Sequence, residues 1–142
     1  MVAEEGADGL LFEDELHLIR CAGRVVWCQV RIPSNTLPAA GAAAAQQVGR
    51  YLIEHVLHRR SPWLGLILDV RQGPSVFGPI TRQVSSDLFE NAERARKPFA
   101  VLTLGDGTQH AQYCALATTN APRFALVTAD AERASDWMMT PH

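Results

Sequence analysis

The sequence has little of what marks exported, disulfide-stabilised or membrane proteins. Its 142 residues include only three cysteines and no CxxC pair, so the pattern predicts reduced thiols and no disulfide framework. No apolar run approaches the roughly 18 residues of a membrane span, and the acidic first nine residues lack the basic stretch of a signal peptide. We therefore expect a cytoplasmic protein without a transmembrane segment.

The net charge and the missing sequence motifs argue against nucleic-acid-binding proteins and common classes of enzyme. The formal net charge of −2 provides no general attraction for nucleic acid, so we expect no nucleic-acid partner. The phosphate-loop, dinucleotide, nucleophile-elbow and zinc-protease motifs are all missing from the sequence. We accordingly predict a non-enzymatic chain with no cofactor and no catalytic residue.

The cysteines and histidines are better explained as packed or solvated side chains than as a disulfide or a metal site. Cys21 and Cys28 flank a predicted turn and lie about two residue pairs apart, too far for a disulfide, so we interpret them as small buried apolar side chains. His55 and His58 share one face of a predicted helix, but a zinc site requires a third and usually a fourth ligand. We expect the five histidines to be solvated or half-buried, and the chain to bind no metal.

The amino-acid composition is typical of a globular domain. Hydrophobic residues make up 47% of the chain and charged residues 20%, which excludes a largely disordered chain. Residues 1–9 are predicted to form a disordered acidic tail, and residues 10–142 a single domain.

The hydrophobic pattern predicts strands that alternate with helices. Val25–Ile32 alternates apolar and polar residues as a half-buried strand does. A turn at Ala22–Arg24 joins it to an earlier strand, whose pattern starts at Leu10 and alternates from Leu16 to Cys21. Trp63–Val70 is almost entirely apolar, which indicates a parallel strand buried on both faces. Helices are predicted at 39–58, 79–97 and 108–119, followed by a last helix capped by Asp130.

The predicted order is β-β-α-β-α-β-α-β-α. It describes an α/β fold with a small mixed, largely parallel sheet, an opening β-hairpin and about four helices. The hairpin would leave an exposed edge strand, so a homodimer formed through that edge stays open.

Ligands of open α/β sheets bind outside the carboxyl ends of the strands, and this rule selects two loops. Candidate residues for binding a partner or ligand follow the central strand: Asp69, Arg71, Ser75, Phe77, Gly78 and Thr81. A second candidate anion site lies where a strand leads into a helix N-terminus: Gly105, Asp106, Gly107 and Thr108. A purely structural interpretation competes at both loops, as an Asp69–Arg71 hydrogen bond in the first and a plain strand-to-helix turn in the second.

The order of these elements resembles the STAS superfamily, and in particular its SpoIIAA-like branch, the anti-sigma factor antagonists of bacteria. The resemblance spans about residues 11–138. It rests on the opening hairpin, on LILDV followed by a loop and a helix, on FAVLTL, and on the closing AERASDWM. It implies a small mixed sheet covered by helices and a regulatory protein-interaction module.

The same resemblance implies a site and a partner. In these antagonists, a serine at the start of the helix after the central strand is phosphorylated by a partner kinase. Phe77-Gly78-Pro79 stands at that place here, between Ser75 and Thr81, so the acceptor serine is missing. We expect the 71–81 loop and the following helix to dock a protein partner, such as a regulatory kinase or an anti-sigma-like protein.

One alternative from another class of function stays open. The chain would then be a small-molecule or anion sensor that uses the carboxyl edge of the sheet, between the loops that contain Asp69 and Asp106.

Overall fold

A six-stranded sheet forms the centre of the computed structural model, which describes residues 8–31 and 38–142. The spatial order of the strands follows the chain. Strands β1 to β3 pair antiparallel and strands β3 to β6 pair parallel. The strands are β1 (Asp8–Glu13), β2 (His17–Ala22), β3 (Val25–Arg31), β4 (Gly65–Gln72), β5 (Phe99–Leu102) and β6 (Ala125–Thr128).

Four helices cover the sheet unequally. They are α1 (Pro38–His55), α2 (Pro79–Ala95), α3 (Gly107–Asn120) and α4 (Ala131–Met139). The larger apolar cluster joins α1, α2 and α3 to one face of the sheet. The smaller cluster joins α4 to the other face, through contacts such as those of Ala134 and Met138 with Ile67 and Ala100. The predicted fold class, with its mixed sheet, antiparallel opening and four helices, is confirmed.

The structure has two strands, β1 and β2, where the sequence pattern predicted one strand from Leu10 to the turn. β1 lies antiparallel beside β2 and takes in Asp8 and Gly9, which the prediction assigned to the tail. The pairing shifts register between Leu10 and Phe12. This irregularity breaks the two-residue alternation by which a strand is recognised. Since β1 covers β2, the edges of the sheet are β1 and β6 rather than the predicted hairpin. The rest of the predicted tail, residues 1–7, lies outside the described residues.

The hairpin between β2 and β3 has the predicted turn and cysteine positions. Gly23 occupies the turn with a φ of +62°, a left-handed conformation that glycine adopts without strain. Cys21 pairs with Val26 rather than with Cys28. Both cysteines are free and buried, so the interpretation of two packed thiols is confirmed. Ile32, the last residue of the predicted strand, lies outside the described residues.

The helix boundaries shift by a few residues from the predicted ones, for identifiable reasons. α2 begins at Pro79 as predicted, and it ends at Ala95 because Arg96 is left-handed, with a φ of +60°. α4 begins after Asp130, whose side chain accepts hydrogen bonds from the backbone N–H groups of Glu132 and Arg133, so the predicted cap is confirmed. Across residues 8–31 and 38–142, no helix is long and apolar enough to cross a membrane.

Candidate functional site

A cavity of about 570 Å³ lies where the first halves of α1 and α2 pass the carboxyl edge of the sheet. It is open to solvent and is lined mainly by apolar or small side chains. Three strands also contribute, through Leu68 of β4, Val30 of β3 and His17 of β2. Because β2 runs antiparallel to β3, its first residue His17 pairs with Val30 and lies at the same edge. The helices contribute, among others, Ala42, Ala45, Val48, Leu52, Ile80, Thr81, Val84 and Ser85.

The amino-acid sequence of α1 accounts for the position of this cavity. The first half of the helix reads Gly-Ala-Ala-Ala-Ala at residues 41–45, and such short side chains cannot fill the space opposite α2. Further along, Val48 and Leu52 are buried. Gly49 is the point of closest approach, because a Cβ atom placed there would lie 2.6 Å from Cγ1 of Val84. The two helices therefore approach closely at Gly49. Most of the α1 residues that line the cavity precede this contact, although Leu52 beyond it also lines the cavity.

The loop between β4 and α2 is held in place from behind by α3. The side-chain amide of Gln109, which is buried, donates hydrogen bonds to the carbonyl oxygens of Val70 at 2.8 Å and Pro74 at 2.9 Å. Phe77 packs edge-on against Tyr113, with ring centroids 5.1 Å apart. The loop therefore presents a defined surface, since Gln109 ties the loop carbonyl of Pro74 to the strand carbonyl of Val70 and the Phe77 side chain is buried.

The loop places apolar side chains in solvent on either side of the start of α2. Val76 is 58% exposed and Ile80 is 44% exposed, and both line the cavity. Three of the predicted residues, Phe77, Gly78 and Thr81, also line it. Ser75 is exposed in the same loop but is not among the lining residues.

Asp69 and Arg71 are placed away from the cavity. Side chains alternate along β4, so Asp69 shares the face of Ile67, whereas Leu68 faces the cavity on the other side. The Asp69 carboxylate accepts hydrogen bonds from the Arg71 guanidinium at 3.0 and 2.9 Å, and from the Arg71 backbone N–H at 3.1 Å. This hydrogen-bonded carboxylate raises the pKa of Arg71. These hydrogen bonds agree with the structural interpretation of the pair, in which Asp69 holds the backbone and side chain of Arg71 at the end of the strand.

The second predicted loop follows β5, the neighbouring strand. Gly105 and Gly107 have φ values of +95° and +83°, which explains the glycines at these positions. The backbone N–H of Gly105 donates to Oγ1 of Thr103 at 3.0 Å. Asp106 precedes the first turn of α3 and makes no capping hydrogen bond with its side chain. Its carboxylate would repel an anion at this helix N-terminus. Thr108 is exposed in the first turn.

His17 is a cavity residue that the sequence analysis missed. We expected the histidines to be solvated or half-buried, but His17 is only 5% exposed. It shares a strand face with Ile19 and Cys21, both buried, so period-two alternation along β2 could have identified it. Burial lowers the pKa of His17, while the nearby Asp14 acts in the opposite direction.

The described residues that line the cavity include few side chains that could transfer a proton or bind a metal ion. Among the described residues that line it, His17 is the only titratable side chain. Over the part of the chain that the structure describes, no group of three or more His, Cys, Asp or Glu residues is placed to hold a metal ion.

Comparisons with known proteins support the fold and leave the family unassigned. No protein-family model matches the sequence, and no curated protein matches it. Among solved structures, the protein TM1081, determined by NMR, has a similar fold, with a TM-score of 0.60 and 10% sequence identity. The alignment covers 99% of this chain and 100% of that one. At this identity, the likeness to TM1081 is a likeness of fold alone.

Proposed function

We propose that this chain is a non-enzymatic, STAS-like regulatory module that docks a protein partner through the loop and helix after β4. The observation that carries the proposal is the exposed apolar pair Val76 and Ile80, presented at the start of α2 by a loop that Gln109 fixes. Exposed apolar side chains grouped at the rim of a cavity are typical of interaction surfaces. We call Val76, Gly78, Ile80 and Thr81 the docking face.

Rigidity of the docking face favours binding. A loop that is already ordered loses less conformational entropy when a partner binds than a loop that must become ordered. The hydrogen bonds from Gln109 and the Phe77–Tyr113 contact provide that order in the free chain. The partner surface that fits is an apolar one, because no charged side chain belongs to the docking face.

A regulatory kinase or an anti-sigma-like protein is the class of partner that the family resemblance implies. We place the module in the cytoplasm, in keeping with its three free cysteines.

The proposal is tested by capture of the tagged full chain from its host, followed by measurement with the purified partner. Ile80→Asp places a charge in the docking face and should weaken the interaction at least about tenfold. The matched control is Met139→Asp, which changes a residue that is 72% exposed at the end of α4. A partner that binds Ile80→Asp and the unchanged chain equally would contradict the proposal. A partner lost only with Met139→Asp would move the docking face to α4.

The alternative of an anion sensor at the carboxyl edge has less support. Asp69 is occupied by Arg71, and the acidic Asp106 stands at the N-terminus of α3. Thermal denaturation with saturating anionic metabolites and nucleotides tests it, because a ligand that binds only the folded state raises the melting temperature. We expect no change; a rise of several degrees would favour the sensor.

A further inference from the structure

The imidazole of His17 lines the cavity and is not part of the docking face. His17 is buried, and its Nδ1 lies 3.3 Å from Oδ1 of Asp14. Its other ring nitrogen, Nε2, has no hydrogen-bond partner among the described residues, although His17 lines the cavity. Protein atoms do not enclose Nε2 within the described part of the chain, so this nitrogen is accessible to a molecule in the cavity that can hydrogen-bond to it.

We assign the ring proton of His17 from its contact with Asp14. Oδ1 of Asp14 also accepts hydrogen bonds from the backbone N–H groups of Leu16 at 2.8 Å and His17 at 2.7 Å. A carboxylate held in this way only accepts, so Nδ1 of His17 carries the hydrogen. The neutral imidazole then presents a lone pair at Nε2, which requires a hydrogen-bond donor.

The remainder of the cavity wall requires an apolar molecule. Leu16, Val48, Leu52 and Val84 form much of the wall, and no lysine or arginine is among the described residues that line it. The volume of about 570 Å³ falls within the range of roughly 300–1,000 Å³ that small-molecule sites occupy. An anionic head group would find no cation there, whereas a hydroxyl group could donate its proton to Nε2.

We propose that this cavity binds an apolar small molecule with a hydroxyl group, such as an aliphatic alcohol, whose O–H donates to Nε2 of His17. The apolar body of the ligand lies between the first halves of α1 and α2. Residues of the docking face line the same cavity, but the ligand is proposed to bind the chain alone, so its binding can be measured without the protein partner.

The experiment is an NMR titration of the ¹⁵N-labelled full chain with 1-decanol, decyl methyl ether and decanoate. The ether keeps the apolar body but has no proton to donate, so we expect it to bind about tenfold more weakly than the alcohol. Decanoate should also bind more weakly than the alcohol, since its charge would be buried without a partner. This comparison of ligands uses the unchanged chain, so it needs no variant that folds.

Two pairs of chains locate the site. Ala45→Phe fills the cavity from α1 and should abolish binding of 1-decanol, whereas Ala43→Phe changes an exposed residue of the same helix outside the cavity and should not. His17→Phe keeps a ring but removes Nε2, so it should reduce the affinity for the alcohol about tenfold and leave that for the ether unchanged.

Three results would overturn the proposal. They are the absence of saturable shifts with 1-decanol, equal affinity of the unchanged chain for the alcohol and the ether, and binding to a folded Ala45→Phe variant at the affinity of the unchanged chain. Because the titration contains no protein partner, its failure would leave the docking proposal standing. A failure of partner capture would likewise leave the ligand site standing.

Discussion

The two halves of the α1–α2 pair are built from different side chains and meet in different ways. Beyond Gly49, Leu52 packs with Leu88 and Phe89 in the core, and these side chains are at most 4% exposed. Before Gly49, alanines face Ile80 across a cavity, and Ile80 is 44% exposed. The comparison teaches that one helix pair can stabilise the fold with its second half and leave a cavity at its first half, where we propose that binding occurs.

The largest expected effect is a loss of folding stability when a side chain is removed from the second half of α2, which packs in the core. Phe89→Ala should lower the free energy of unfolding by about 3–5 kcal/mol, because it removes a fully buried ring whose centroid lies 4.8 Å from that of Phe99. Ile80→Ala, in the open half of the same helix, should change it by less than about 1 kcal/mol. Urea unfolding of both variants measures the difference. Similar losses in the two variants would show that the halves do not differ.

A smaller effect is expected at the boundary between the halves. Gly49→Ala should destabilise the chain by about 1–2 kcal/mol despite the better helix propensity of alanine, since its Cβ atom would meet the stiff side chain of Val84. In a Val84→Ala background, the same change should be neutral or stabilising. Thermal unfolding of the four chains forms a double-mutant cycle. Additive effects would contradict a close contact between the two residues.

The next prediction concerns the loop between β4 and α2, which lies beside the cavity. Gln109→Ala removes the donor to the carbonyl groups of Val70 and Pro74, so we expect a loss of about 1–2 kcal/mol and faster amide exchange in the 73–78 loop. Thr108→Ala, at the exposed neighbouring position, is the control. If exchange in the loop is unchanged in Gln109→Ala, the amide does not fix the docking face.

The smallest expected effect is a dependence of stability on pH from His17. Its pKa is lowered in the folded chain, chiefly by burial and also by Arg31, against the raising effect of Asp14. As pH falls below about 6.5, the unfolded chain gains the proton first, so the free energy of unfolding should decrease. The contribution is complete at pH 7.5 and diminished at pH 5.5.

Urea unfolding at these two pH values in the unchanged chain and in His17→Phe isolates this contribution. The variant should lose less stability on acidification than the unchanged chain. The same loss in both would mean that His17 is not held neutral by the fold.

Much of the fold could be predicted from the sequence because its signals are local. The alternation in β3 and the apolar run of β4 follow directly from which faces are buried. The strand β1 could not be predicted in this way, because its pairing is irregular at Leu10 and that residue is 64% exposed. Its place in the sheet depends on backbone hydrogen bonding with β2, and the pattern of apolar and polar side chains does not reveal that pairing.

The site was predicted in part for a similar reason. The rule that ligands bind at the carboxyl edge selected the loop of Phe77, Gly78 and Thr81, and these residues line the cavity. The same rule ignores the two faces of a strand, so it also selected Asp69, which points to the other side. His17 is distant in sequence, and only the antiparallel pairing of β2 with β3 brings it to this edge.

The most direct test of the account is amide hydrogen exchange of the chain with and without its purified protein partner. We predict protection concentrated in residues 71–81 and in the first turns of α1 and α2, with little change in α4. Protection confined to α4 or to the edge strand β1 would contradict the assignment of the docking face.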